Sequence, residues 1–209
     1  MSSGPRLAAL YNKNPLKEKL VLASRSPRRT EILRAVGWEF EAIAADVDET
    51  RHASEDAASY VKRLARTKAE TVANKTSGCL VLGADTVVVI GEEILGQPND
   101  DDDARRMLQL LNGRWHEVLT GVALVDAGQL NQPGEPRIVV DHETTRVRFA
   151  ELSTNEIDWY VSTGEPRGKA GAYAIQGRGA LFIEGLQGDY FNVVGLPVRL
   201  VYELLERIK

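Results

Sequence analysis

The chain has 209 residues, 43% hydrophobic and 27% charged, with a formal net charge of −4. That length suffices for a full core in one domain, and the composition excludes disorder and fibrous repeats. The negative balance argues against binding a nucleic-acid polymer over a broad surface, which takes many lysine and arginine contacts, but leaves room for a local basic pocket.

The single Cys79 sits in the apolar run Cys79-Leu-Val-Leu82, so it forms no intrachain disulfide and packs as a small hydrophobe, which fits a cytoplasmic protein. Near the N-terminus the cluster Leu7–Leu10 is broken by Asn, Lys and Pro, too short for a signal segment or a membrane span. Residues 1–18 read as a loose tail and 19–209 as a single domain with no membrane association.

Leu20–Ala23 is a continuous apolar run, as in a strand buried on both faces, and Pro27 stands where a helix opens. The first N–H groups of that helix lack internal partners and carry the positive end of its dipole. Ser24 and Ser26 add hydroxyls, and Arg28 and Arg29 add forked cations. Such a turn suits a phosphate, although the same residues also make an ordinary strand-to-helix turn with solvated arginines. Ile32, Leu33 and Val36 form a helical stripe that Gly37 ends.

A strand over Phe40–Ala45 leads to Asp46-Val-Asp48-Glu49-Thr50, where three carboxylates form a solvated loop or else need counter-charge or a metal. Ser54 is the expected N-cap of a long helix to about Lys75, with Val61, Leu64, Ala65 and Val72 on one side. Lys68 falls four residues after Leu64 and therefore beside this stripe, placed to snorkel or to enter a cleft.

Leu80–Ile90 is the most apolar stretch and holds one carboxylate, Asp85, which is either functional or fixed in an ion pair. Gly91-Glu92-Glu93 predicts a hairpin turn. Asp100–Asp103 predict a helix start rather than a metal site, since acids there complement the dipole, and Gly113 ends the helix after Leu111. Trp115–Val125 and Arg137–Phe149 read as a long β-hairpin or a pair of adjacent strands, joined through Asp126–Pro136. Ser153–Ser162 is a helix with a capping box to Glu156.

The segment Gly164–Gly179 is glycine-rich, with one lysine, Lys169, and one glutamine amide, Gln176, suited to close approach to a ligand or to a plain connector. Gly177-Arg-Gly179 is no dinucleotide fingerprint, because Leu181-Phe-Ile183 follows in strand style. A last helix runs from Pro197 to about Ile208. His52, His116 and His142 lack metal-ligand spacing. The Ser24–Arg29 loop, Lys68 and Lys169, with Glu49 and Asp85 as hard oxygen ligands, describe a site for a magnesium-bound polyphosphate.

The chain resembles the Maf family of nucleoside triphosphate pyrophosphatases from Lys19 to Lys209. The marks are Ala23-Ser24-Arg25-Ser26-Pro27-Arg28-Arg29, Asp48-Glu49-Thr50, Tyr60–Ala69, Gly83-Ala-Asp85-Thr86-Val87, Lys169–Gly177 and Asn192–Pro197. The resemblance implies an α/β fold, with a long mixed β-sheet flanked by helices and two lobes around a deep cleft, of Maf/inosine-triphosphatase-like kind. It implies cleavage of a nucleoside triphosphate to the monophosphate plus pyrophosphate, a divalent metal cation, Mg²⁺ or Mn²⁺, and a homodimer. Carried over, Ser24, Ser26, Arg28, Arg29, Thr86 and Lys169 bind substrate. Glu49 and Asp85 hold the metal, and Asp85, Glu49 and Lys68 are catalytic, with Asp85 as the base.

One departure is Gln97-Pro98, where the family usually has lysine before proline. Arg28-Arg29, Ala84-Asp85-Thr86 and Tyr173-Ala-Ile-Gln176-Gly177 resemble the subgroup acting on dTTP and UTP. The Gln176 amide matches the N3–H and a carbonyl of uracil or thymine. The alternatives are a nucleotide-binding regulator of septum formation with little turnover and a house-cleaning enzyme for modified nucleotides.

Overall fold

The computed structural model describes residues 18–128 and 137–209, so the expected tail before Glu18 and most of the Asp126–Pro136 connector lie outside the described residues. Thirteen helices and strands follow in chain order: β1 (Lys19–Leu22), α1 (Pro27–Ala35), β2 (Phe40–Ala42), α2 (Ala57–Ala73), β3 (Cys79–Ile90), β4 (Glu93–Leu95), α3 (Asp101–Leu111), β5 (Trp115–Asp126), β6 (Ile138–Phe149), α4 (Thr154–Ser162), β7 (Ile183–Gln187), α5 (Tyr190–Val194) and α6 (Val198–Arg207). Two 3₁₀ turns, Ala170–Ala172 and Arg178–Phe182, precede β7.

The strands form one mixed seven-stranded sheet in the order β2-β1-β3-β5-β6-β7, with β4 also on β3. β1 runs parallel to both neighbours, while β3, β5, β6 and β7 pair antiparallel. This is the long mixed sheet of an α/β fold that the resemblance implied.

Alternation divides the core. Leu20 and Leu22 face one side with Leu80, Leu82, Val122 and Leu124, under Ile32 and Leu33 of α1 and the apolar stripe of α6. Val21, Val81, Ala123 and Val125 face the other side, under Ala65, Ala69 and Val72 of α2. The far ends of β3, β5 and β6 belong to a different cluster, in which Val88, Val118 and Phe149 pack with Met107, Leu108 and Leu111 of α3 and Tyr160 of α4. Asp85 and Thr86 therefore stand on β3 where one core gives way to the next.

Two glycines set how closely α2 lies on the sheet. A Cβ on Gly83 would stand 2.1 Å from the Ala65 carbonyl oxygen, and one on Gly121 would stand 2.2 Å from that of Val61. Only glycine admits a helix backbone this near a strand, and the approach sets Lys68 against Asp85.

Three local expectations are corrected and one element is added. The strand after α1 stops at Ala42, because β1 offers pairing only from Leu20 to Leu22. The cap of α2 is Asp56 instead of Ser54: its carboxylate accepts from the Ser59 N–H at 2.6 Å. Leu181 and Phe182 lie in a 3₁₀ turn, and the strand begins only at Ile183. The short α5 had not been anticipated; Asp189 caps it and Gly195 ends it with φ +120°. Among the described residues no helix is long and apolar enough to cross a membrane.

Candidate active site

The centre of the site is a lysine between two carboxylates. Lys68, midway along α2, donates from Nζ to Asp85 Oδ1 at 2.6 Å and meets Glu49 Oε1 at 2.6 Å. Lys68 and Asp85 are buried, whereas the Glu49 side chain is half exposed. Burial raises the Asp85 pKa above the usual carboxylate range, with Lys68 and Arg29 pulling the other way and Glu49 adding to the rise. Glu49 is held from behind: Tyr60 donates its hydroxyl to the Glu49 carbonyl at 2.7 Å, and Arg63 clamps Glu55 and the Thr50 carbonyl. Of the acidic stretch, Asp48 accepts from the Thr50 N–H and shapes the loop, so only Glu49 reaches Lys68.

The turn after β1 faces this trio. Ser26 caps α1 by accepting from the Arg29 N–H, with Pro27 in the first turn. Ser24 Oγ accepts from the Ser26 N–H at 3.1 Å and from Arg29 Nη1 at 3.2 Å. Both serine oxygens are thus engaged as acceptors, and their hydroxyl protons are left to donate. Arg29 is tied to three elements, donating from Nε to the Gly195 carbonyl at 2.8 Å and from Nη2 to Thr86 Oγ1 at 3.1 Å. Arg28 has no ion-pair partner among the described residues and lines the cavity. Burial lowers the pKa of both guanidinium groups, and Asp85 opposes this at Arg29.

The opposite wall comes from the segment after α4. Lys169 lines the cavity and donates from Nζ to the Glu165 carbonyl at 2.6 Å. Burial, then Arg28, lowers its pKa. The chain turns at Gly171 and at Ala172, whose φ of +60° is a strained left-handed backbone for a residue with a side chain. This corner presents buried Tyr173, which shares a 2.8 Å hydrogen bond with His116 Nε2 on β5. The walls enclose a cavity of about 710 Å³, within the usual range of ligand pockets.

The family model described as Maf-like protein matches residues 19–208. The chain is 52% identical to the dTTP/UTP pyrophosphatase of Myxococcus xanthus (strain DK1622), covering 90% of this chain and 91% of that one. It is 50% identical to the dTTP/UTP pyrophosphatase of Symbiobacterium thermophilum, with 90% and 93% covered. The chain belongs to the Maf family. In fold alone it is similar to the solved structure of the Staphylococcus aureus Ham1 protein, at 15% identity and a TM-score of 0.51, covering 92% of this chain and 100% of that one.

The Maf segments singled out in the sequence converge on one cavity. Ser24, Ser26, Arg28, Arg29, Glu49 and Lys68 line it, as do Asp85, Thr86, Lys169 and Gln97. Gln176 does not: its side chain is exposed and outside the lining. The backbone is drawn away there by the Glu165 carboxylate, which accepts from the N–H groups of Arg178 and Gly179, and by Gly177 at φ +92°.

Sequence reading missed the supports. Thr120 Oγ1 shares a hydrogen bond with Thr86 Oγ1 and donates to the Asn192 carbonyl, while the buried Asn192 amide donates to the Val118 carbonyl and Thr145 Oγ1. These bonds tie α5 to the middle of the sheet. A glycine isolated inside an apolar strand was a usable signal for Gly83, as it marks close backbone approach; nothing comparable marked His116.

Among the described residues no three His, Cys, Asp or Glu side chains gather to hold a metal ion alone. Asp85 and Glu49 each engage Lys68 through one oxygen, and no hydrogen bond or ion pair takes the other among the described residues. Two hard carboxylates shared with substrate phosphates are a usual donor set for Mg²⁺, so the residues fit such an ion only together with an anionic ligand.

Proposed function

We propose that this Maf protein hydrolyses dTTP and UTP to the monophosphate plus pyrophosphate, working as a homodimer. The observation that carries the reading is the buried Asp85, raised in pKa and facing Lys68 and Arg29 in a cavity walled by Ser24, Arg28 and Lys169. The relatives named dTTP/UTP pyrophosphatase supply the substrate class.

On this reading the loop from Ser24 to Arg29 grips the triphosphate through two serine hydroxyls, the open end of α1 and the Arg28 fork, and Lys169 closes on it from the far wall. Arg29 keeps the loop fixed to Thr86 and Gly195, so little reorganisation accompanies binding. Asp85 takes a proton from a water whose oxygen attacks the α-phosphorus. The bond to the bridging oxygen breaks and pyrophosphate leaves. Lys68 holds both carboxylates in place, and its charge opposes the rise in the Asp85 pKa that burial causes. Glu49 and Asp85 would hold a Mg²⁺ or Mn²⁺ ion, which when bound supplies neutralising charge for the phosphates.

The test is pyrophosphate release from UTP, dTTP, CTP and GTP by the purified chain with Mg²⁺, with Mn²⁺ and in EDTA. The expected result is metal-dependent turnover of UTP and dTTP well above the other two. Release of orthophosphate alone, full activity in EDTA, or equal rates with CTP would overturn the corresponding part.

A further inference from the structure

Arg167 stands apart from the charge network of the site. It lines the catalytic cavity beside Gln97 and Gly168, and it also lines a neighbouring shallow hollow formed by Pro98–Asp102. Its side chain is 72% exposed, and its guanidinium is turned to the outer hollow. There Nη2 meets both carboxylate oxygens of Asp101 at 3.2 Å, and Nε meets Oδ1 at 3.3 Å. Asp101 opens α3 and is not part of the cavity wall.

The backbone at Arg167 is held by its N–H on the Gly164 carbonyl at 3.3 Å and follows a buried Pro166, while its side chain is exposed. Gly164 and Gly168 on either side have φ of +72° and +69°, and a Cβ on either would meet nothing within 4 Å. The exposed Arg167 side chain borders both hollows, so a change of its rotamers alone carries the guanidinium from one to the other.

The cavity has a use for that charge. Lys68 is committed to Glu49 and Asp85, and Arg29 to Ser24, Thr86 and Gly195. Gln97 on the rim is neutral. Besides Lys68, Arg29 and Arg167, the lining cations are Arg25, exposed at the mouth of the cavity, Arg28 and Lys169, none with an ion pair among the described residues. A triphosphate tail of charge about −4 exceeds what these three neutralise. An exposed ion pair such as Arg167–Asp101 contributes little, whereas fork bonds from a guanidinium to phosphate in a partly desolvated cavity are among the strong ones. The exchange of partners favours the phosphate.

We propose that Arg167 is a triphosphate-binding arm which Asp101 holds off the cavity in the free protein and which the distal phosphates of the substrate take over. The proposal rests on the pyrophosphatase reading for its ligand. It makes Asp101 a competitor of the substrate, so removing either partner of one ion pair has opposite effects.

Affinity for inorganic tripolyphosphate, measured by calorimetry with Mg²⁺, and kcat and KM for UTP are compared among the wild-type chain, Arg167→Ala, Asp101→Asn and the double variant. Arg167→Ala weakens tripolyphosphate binding by about tenfold and raises KM for UTP in parallel, with kcat nearly unchanged. Asp101→Asn tightens binding by a few-fold, and in the Arg167→Ala background it has no effect. Losses of the same sign in both single variants would show a plain structural staple and overturn the proposal, as would unchanged binding in Arg167→Ala. A wild-type chain that binds tripolyphosphate with this pattern but releases no pyrophosphate from UTP would refute the pyrophosphatase reading and leave the arm standing. Turnover of UTP with an unaltered Arg167→Ala variant would refute the arm alone.

Discussion

The two walls of the cavity are built differently. On one, Ser24–Arg29, Lys68 and Asp85 sit on or against the regular elements β1, α1, α2 and β3, and Ser24, Arg29, Lys68 and Asp85 are tied by hydrogen bonds to one another or to Thr86. On the other, Lys169 and Tyr173 hang from a segment held by side-chain-to-backbone bonds and by left-handed residues at Gly168, Gly171, Ala172 and Gly177. Close backbone packing fixes the first wall, so its charges are in position before any ligand arrives. The second is propped by Glu165, which accepts the Tyr160 hydroxyl as well as two N–H groups. In the proposed reaction the rigid wall supplies the base and most of the phosphate grip, and the propped wall adds Lys169.

Removing Asp85, the proposed base, breaks the rigid wall most sharply. Asp85→Asn keeps the volume and should lower kcat by about 10²–10⁴-fold, the usual contribution of a positioned base, with KM changed far less. A variant of wild-type rate would take Asp85 out of the reaction.

Next in size is Gly83→Ala, because its Cβ would overlap the Ala65 carbonyl and α2 would have to lift off the sheet. We expect a loss of about 1–3 kcal/mol in denaturant unfolding, together with a loss of activity as Lys68 moves from Asp85. Gly78→Ala is the control: no atom stands within 4 Å there, although its φ of +64° still carries backbone strain. A Gly83→Ala loss no larger than that of the control would mean that α2 tolerates the shift.

The same contrast explains what the sequence disclosed. Runs such as Leu20–Ala23 and Leu80–Ile90 betray strands because burial on both faces demands unbroken apolarity, and a lone carboxylate inside one is conspicuous. The capping box at Ser153 and the Asp100 cap were legible because they are local. Ser54 and Asp56 are both good caps two residues apart, and composition does not tell which of them the helix takes; the structure takes Asp56. Contacts between distant segments, such as Arg29 to Gly195 or His116 to Tyr173, leave no periodic trace. The Gly164–Gly179 segment showed its lysine and its amide but not which of them faces the cavity, since left-handed residues reorient the chain in ways that composition does not encode.

His116 is the strut between the walls, carrying Tyr173 from β5. Burial holds its pKa down to about 4, against an ordinary 6.5. The folded state thus binds fewer protons than the unfolded chain between these values. The contribution is fully present above pH 6.5 and is lost as pH falls through about 4, a change on the order of 3 kcal/mol. Unfolding free energies measured down this range should fall less for His116→Gln than for wild type. Parallel curves for the two would show that burial does not depress the His116 pKa.

The smallest expected effect tests the propped wall where sequence and geometry part. If Gln176 reads the uracil or thymine edge, its exposed amide must turn inward when substrate binds, because it lines no part of the cavity in the free chain. Its amide has no hydrogen-bond partner among the described residues, so no existing bond opposes the turn. A closed amide satisfies N3–H and a carbonyl of the base and leaves cytosine mispaired, and each buried mismatch costs about 1–3 kcal/mol. The ordering of a glycine-flanked segment offsets part of that gain. We therefore expect Gln176→Ala to lower kcat/KM for UTP by about tenfold while leaving the value for CTP nearly unchanged, so that the preference narrows without vanishing. Equal losses for both nucleotides would assign Gln176 to loop structure. An undiminished preference would move base reading to residues that already line the cavity, with Tyr173 and Gln97 the first to substitute.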